Sequence, residues 1–281
     1  MNVAVLGSGS WATALAKIVM HNVAEINWYI RKQETIDEFR EIRRNPNHLE
    51  WAYFDISRIN FSNDINQVLS EAELVILAVP SPYVKDVLAE ITVDMSQKKV
   101  ISAVKGMIPG DNILVTDYMH QHFHVPENNL GMITGPCHAE EIALERLSYL
   151  TLGCKDTANA TEWQKLFDTP YVRTTPSNDM KGLEYASVMK NIYAIAAGMC
   201  TSLRYGDNFQ AVLLTNAMHE IVRFTKAVSD VPRDITDSGY LGDVLVTAYS
   251  NFSRNRQFGQ MIGMGYSVKA AQTEMEMVAE G

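Results

Sequence analysis

Residues 183–200 read LEYASVMKNIYAIAAGMC, an alanine-rich apolar stretch in which only Glu184 and Lys190 can carry charge. Such a segment predicts a largely buried helix. An ammonium held there loses hydration, which lowers its pKa and brings proton exchange near neutral pH within reach. That is what a catalytic acid or base needs, and Asn191 stands beside Lys190 to orient it or its target. The plain alternative is a lysine that snorkels from the helix edge into water.

A second cluster lies downstream. Asp243, after Gly242, and Thr247 are four residues apart and share a face if the segment is helical. Ser253-Arg254-Asn255-Arg256 then opens the next helical pattern. A guanidinium fork beside amide donors at a helix start suits a phosphate group. Taken one at a time, these residues read equally well as a cap, a turn and a surface ion pair.

The third cluster is at the amino end. An apolar run at 3–6 leads into Gly7-Ser8-Gly9-Ser10-Trp11-Ala12, and a helical pattern follows through Leu15 and Ile18. This is G-x-G-x-x-A between a strand and a helix. Gly7 allows the tight turn, Gly9 lets backbone approach a pyrophosphate, and Ala12 permits close helix packing. The amides that open the helix favour phosphate oxygens. The next strand ends in Ile30-Arg31-Lys32, where a carboxylate would take the ribose 2′-hydroxyl of NAD. Two cations there predict that NADP is accepted.

Positioning these groups requires a layered framework. Apolar runs at 3–6, 26–30, 74–79, 99–104, 130–134, 149–153 and 171–174 read as strands, with helical patterns at 33–43, 81–90 and 157–167 between them. The alternation predicts an α/β fold, a Rossmann-type doubly wound sheet. After Thr175-Pro176-Ser177-Asn178-Asp179, a turn and cap cluster, the texture becomes helical at 180–200, 208–229, 238–249 and 254–278. The expected division is a dinucleotide-binding domain over 1–178 and an all-α substrate domain over 179–281.

With 281 residues, 47% of them hydrophobic, the chain can bury a large core. A net charge of −9 argues against broad nucleic-acid binding. Cys137, Cys154 and Cys200 are odd in number and lack CxxC spacing, which predicts a reducing, cytoplasmic setting. No signal peptide or membrane-spanning run is read, so no membrane insertion is expected.

With Lys105-Gly106 added, the whole set resembles bacterial-type NAD(P)-dependent glycerol-3-phosphate dehydrogenase. The resemblance runs through GSGSWATALA at 7–16, AVKG at 103–106, GPCHAE at 135–140, KNIYAIAAG at 190–198, GDN at 206–208, LGD at 241–243 and SRNRQFG at 253–259. It implies interconversion of dihydroxyacetone phosphate and sn-glycerol 3-phosphate, with supply of the latter to phospholipid synthesis. In that resemblance Lys190 exchanges the proton, Asn191 and Asp243 orient it and the substrate, and Lys105 lies by substrate and nicotinamide. Gly135, Cys137, Thr247, Ser253, Arg254 and Asn255 complete the substrate site. NAD or NADP meets Gly7, Gly9, Ser10, Trp11, Arg31, Lys32, Lys105, Ala139, Arg254, Val278 and Glu280. The expected partners are a phosphorylated triose and a second copy of the chain in a homodimer, with no nucleic acid.

The chain departs from the family pattern in places. Cys137 stands where serine is usual, His138 where an aromatic is usual, and Thr215-Asn216-Ala217 where threonine-arginine-glycine is common. It stops at Gly281 where relatives continue with further helices, so it is expected to lack a C-terminal end. His120, His122 and His124 alternate and would face one way on a strand, but their polar surroundings predict a helix end or loop and no metal site. A thiol nucleophile at Cys137 is not expected, because adjacency to His138 in sequence does not make a catalytic pair. Rival readings are a superfamily dehydrogenase acting on a 3-hydroxy acid, which would not need Arg254 and Asn255, and a non-catalytic dinucleotide sensor.

Overall fold

The computed structural model describes residues 1–275 and 279. The chain forms two compact units, residues 1–133 with 137–180, and residues 134–136 with 181–281. Against a single expected boundary near 178, the chain parts at Met180, and Thr134–Pro136 groups with the helices.

In the first unit β1 (Val3–Leu6), α1 (Ser10–Val19), β2 (Ile26–Tyr29) and α2 (Gln33–Ile42) lead into β3 (Ile59–Ser62), α3 (Ile65–Ser70), β4 (Leu74–Leu77) and α4 (Ser81–Ala89). The chain continues through β5 (Lys99–Ser102), α5 (Val115–Phe123), β6 (Leu130–Thr134), α6 (Ala139–Ala143), β7 (Ser148–Cys154), α7 (Thr157–Phe167) and β8 (Val172–Ser177). The strands make one sheet in the order β3-β2-β1-β4-β5-β6-β7-β8. Every residue of β1 and β4 is buried, the near-continuous apolar run of strands covered on both faces.

The pairings from β3 across to β6 are all parallel, so the C-terminal ends of six strands share one edge. The order reverses between β1 and β4, where a doubly wound sheet opens a crevice for ligands. The glycine-rich turn follows β1 at that point.

β3 escapes local reading because INFS is only four residues long and half polar, too short for periodicity to declare. Its register pairs Ile26 with Ile59 and Trp28 with Phe61. Trp28, Phe39, Phe54 and Phe61 then pack with ring centroids 5.0 to 5.8 Å apart. β8 runs on to Ser177 although Pro176 predicts a stop. It is the last strand of the sheet, and proline is tolerated on an edge because its missing N–H can face away from the ladder. α5 ends at His124, whose φ of 56° is left-handed. The three histidines therefore sit on a helix end, as expected, and not along a strand.

The second unit holds α8 (Met180–Ser202), α9 (Gly206–Val228), α10 (Asp243–Tyr249), α11 (Arg254–Gly263) and α12 (Val268–Glu274). A π-helical turn, Ser238–Gly242, leads directly into α10. The single helix expected over 254–278 is broken. Gly265 takes φ +97°, and Ser267 then caps α12 by accepting from the amide of Ala270 at 3.2 Å.

α8 and α11 cross with their backbones in contact. A Cβ at Gly198 would overlap the carbonyl of Arg256 and lie 2.8 Å from the amide nitrogen of Gln260. One at Gly259 would overlap the carbonyl of Ile195, and one at Gly263 would come within 2.8 Å of the carbonyl of Met199. Ser202 Oγ adds a hydrogen bond to the carbonyl of Gln260 at 2.8 Å. This crossing fixes the start of α11, with Arg254 and Asn255, relative to the helix that carries Lys190.

Candidate active site

Lys190 lies in α8 with its side chain 3% exposed, so it does not snorkel to water. Its Nζ donates to Oδ1 of Asp243, itself 2% exposed. Burial alone would favour the amine, whereas a carboxylate in contact favours the ammonium. The two charged groups lie against each other, shielded from solvent. A buried pair of this kind needs further hydrogen bonds to its remaining lone pairs. Oδ2 of Asp243 accepts from Thr134 Oγ1 at 2.7 Å, and the Asp243 carbonyl accepts from Thr247 Oγ1 at 2.6 Å.

Asp243 and Thr247 do share a face, four apart on α10. The π-helical turn before them is a rare element that tends to mark functional sites. Gly135 takes φ +134°, a region open essentially to glycine, and turns the chain after Thr134. Asn191 and Asn255 are buried and Arg254 is half-buried. Ser253 caps α11, accepting from the amide of Arg256 at 3.3 Å, and Arg256 Nη1 donates to Asn251 Oδ1 at 3.1 Å.

The first unit carries the dinucleotide motif. Gly7 has φ +120°, and a Cβ there would lie 2.5 Å from the carbonyl oxygen of Ala78. A Cβ at Gly9 would meet nothing within 4 Å, so the space in front of it is open. The carbonyls of the loop are turned inward and occupied. Trp28 Nε1 donates to the carbonyl of Gly7 at 2.7 Å, Asn45 Nδ2 to that of Ser8 at 2.8 Å, and Thr13 Oγ1 to that of Gly9 at 2.9 Å. With its acceptors used up, the loop has amides to offer a phosphate, and it fits a dinucleotide. Ser10, at the start of α1, has its Oγ 3.3 Å from Nδ1 of His48.

Arg31 and Lys32 are exposed just past β2. The amide of Gly7 donates to the carbonyl of Tyr29 at 3.2 Å, which ties the end of β2 to the glycine turn. Lys105 follows β5, its Nζ standing 4.9 Å from the centroid of the Trp11 ring, a cation–π contact. Cys137 and Ala139 are buried, Ala139 as the first residue of α6. Val278 and Glu280 fall outside the described residues.

Three residues that serve these groups have no sequence signal of their own. Thr134 holds Asp243, while Asn45 and Trp28 hold the glycine loop, all across long stretches of chain. Thr134 could have been suspected only from its place at a strand's C-terminal end, ahead of Gly135-Pro136. Among the described residues no group of three or more His, Cys, Asp or Glu side chains is placed to hold a metal ion. All three cysteines are buried and none of them is in a disulfide, and burial pushes the Cys154 thiol up to about 11, which keeps it protonated at neutral pH.

Residues 2–160 match the family model for the N-terminus of NAD-dependent glycerol-3-phosphate dehydrogenase, and residues 179–281 match that for its C-terminus. The chain is 33% identical to a glycerol-3-phosphate dehydrogenase (NAD(P)+) from an Exiguobacterium species, over 100% of this chain and 82% of that protein. It is 31% identical to the enzyme of the same name from Staphylococcus aureus, over 99% and 84%. A crystal structure of glycerol-3-phosphate dehydrogenase from Coxiella burnetii superposes with a TM-score of 0.88 at 26% identity, covering 100% of this chain and 85% of that one.

Proposed function

The chain belongs to the NAD-dependent glycerol-3-phosphate dehydrogenase family, and from that premise we propose how its residues divide the work. It is an NAD(P)-dependent oxidoreductase that interconverts dihydroxyacetone phosphate and sn-glycerol 3-phosphate, and the usual role of the family is to supply phospholipid synthesis. The nicotinamide coenzyme, when bound, supplies or accepts the hydride.

In the reductive direction negative charge grows on the substrate's carbonyl oxygen, and the Lys190 ammonium stabilises and protonates it. In the oxidative direction the Lys190 amine takes the hydroxyl proton. Asp243 holds Lys190 in place and favours its charged form, and Asn191 orients the substrate oxygens. Arg254 and Asn255 grip the phosphate at the start of α11, where helix amides add to them. Gly135, Cys137, Thr247, Ser253 and Lys105 line the substrate. Gly7, Gly9, Ser10, Trp11, Arg31, Lys32, Lys105, Ala139, Arg254, Val278 and Glu280 hold the coenzyme.

The observation that carries this reading is a lysine 3% exposed and ion-paired inside an apolar helix, an arrangement a purely structural helix would avoid. Oxidation of NADH or NADPH with dihydroxyacetone phosphate tests it, and no turnover with either coenzyme would refute it.

Arg254→Ala should lower kcat/KM for dihydroxyacetone phosphate by about 10- to 100-fold, the scale of one lost charge-assisted contact. Dihydroxyacetone, which lacks the phosphate, should be nearly unaffected. Equal losses on both substrates would assign Arg254 to structure or coenzyme.

Arg31 and Lys32 support NADP as an accepted coenzyme. Arg31→Asp should weaken NADPH by about 1.5 to 3 kcal/mol and move the preference toward NADH. An unchanged ratio of the two catalytic efficiencies would place the 2′-phosphate elsewhere.

A cytoplasmic homodimer completes the reading. Its support is that Cys137, Cys154 and Cys200 form no disulfide, together with the exposed Phe209, Val212, Val222 and Phe224 along α9. Sedimentation of the purified chain checks the oligomeric state.

A further inference from the structure

We propose that Thr134 is a positioning residue for the reaction, locking the plane of the Asp243 carboxylate so that one oxygen stays on Lys190. The inference rests on Lys190 being the proton donor.

A carboxylate's terminal torsion is soft, because rotation about the bond to its sp² carbon meets only broad, two-fold minima. Held by Lys190 alone, the Asp243 carboxylate could turn about its Cβ–Cγ bond and change the direction in which Oδ1 meets the ammonium. Thr134 Oγ1, fully buried, donates to Oδ2 at 2.7 Å and removes that freedom. The donation also satisfies an oxygen of the buried carboxylate that the ion pair with Lys190 leaves without a partner. Thr247 pins the same residue from its backbone side, so Asp243 is held at three points.

The way residues 134–136 are built points to the same role. Gly135 at φ +134° sets the direction of the chain, and Pro136 follows with a fixed φ. A Cβ on Gly242 would lie 3.3 Å from Cγ of Pro136, so the proline ring packs against the residue just before Asp243. Thr134 thus touches the carboxylate, Pro136 the residue just before it, and Gly135 sets the direction of both.

The test compares Thr134→Val, which keeps the shape and loses the hydroxyl, with Thr134→Ser, which does the reverse. Kinetics with dihydroxyacetone phosphate, coenzyme affinity and melting temperature are measured on the full chain. The Nζ resonance of Lys190, assigned by its loss in Lys190→Met, is followed by nitrogen-15 NMR. The valine variant should lose about 10- to 100-fold in kcat, the scale of a lost hydrogen bond to a charged group, and broaden the Nζ signal through faster proton exchange. Its coenzyme affinity should match the parent's, and the serine variant should stay within about threefold in kcat. A valine variant with parental kcat and an unchanged resonance would overturn the inference. So would a serine variant as damaged as the valine one, which would mark a packing role. If the parent did not turn over the substrate, the proposed function would fail, and the resonance would still decide the role of Thr134.

Discussion

Lys190→Met should lower turnover of dihydroxyacetone phosphate by about 10²- to 10⁴-fold, the range for a lost general acid, and by more if charge stabilisation goes with it. Coenzyme affinity should stay near that of the parent, because the motif around Gly7 and Gly9 lies in the other unit. Methionine matches lysine in length and suits an apolar helix. The ion pair adds a cost that burial alone does not reveal. Removing one partner of a buried pair costs roughly 3 to 5 kcal/mol, a large share of the 5 to 15 that holds a typical domain. Here the Thr134 hydroxyl softens the loss by continuing to donate to Asp243. A companion variant separates the two effects. Lys190→Met with Asp243→Leu removes both charges and should recover most of the melting temperature while remaining inactive. Activity within a few-fold of the parent in Lys190→Met would sink the mechanism, and so would activity that returned along with stability in the double variant.

Gly198→Ala should destabilise the chain by about 3 kcal/mol or more, against an opposite expectation from helix propensity. In an exposed helix interior the same change would gain about 1 kcal/mol. At the crossing of α8 and α11 the new methyl would overlap the carbonyl of Arg256, and backbone on an opposing helix cannot yield as a side chain can. The loss corresponds to roughly 6 to 12 °C in melting temperature for a chain of this size. KM for dihydroxyacetone phosphate should rise as well, because α11 must move outward and carries Arg254 and Asn255 with it. A melting temperature at or above that of the parent would show that the helices have room to separate.

What could be read from the residues alone tracks how locally each feature is encoded. β1, β4 and β6 declare themselves because strands covered on both faces must be apolar throughout. Lys190 declares itself because a charge in an alanine-rich helix conflicts with its surroundings, and Asp243 with Thr247 because a helical repeat joins them. β3 and the continuation of β8 through Pro176 do not, since sheet position decides both and no window of sequence contains it. The break at Gly265 is a conformational choice that a helical pattern conceals. Thr134, Asn45 and Trp28 were not legible as helpers of the site because each acts through hydrogen bonds to residues far along the chain. Gly198 and Gly259 lie in helices where glycine reads as a weakness, and only the opposing backbone gives them a purpose.

The grouping of residues 134–136 with the helices limits how this chain can be recombined. A chimera joined near residue 180 takes Thr134 and Pro136 from one parent, and Asp243, Lys190 and Gly242 from the other. The cut looks clean on a map of the sheet, yet it divides both ends of one hydrogen bond and both sides of one packing contact between donors. Hybrids of this enzyme with its relatives should therefore exchange residues 134–136 as a cassette together with the helical half, so that the segment travels with the carboxylate it serves.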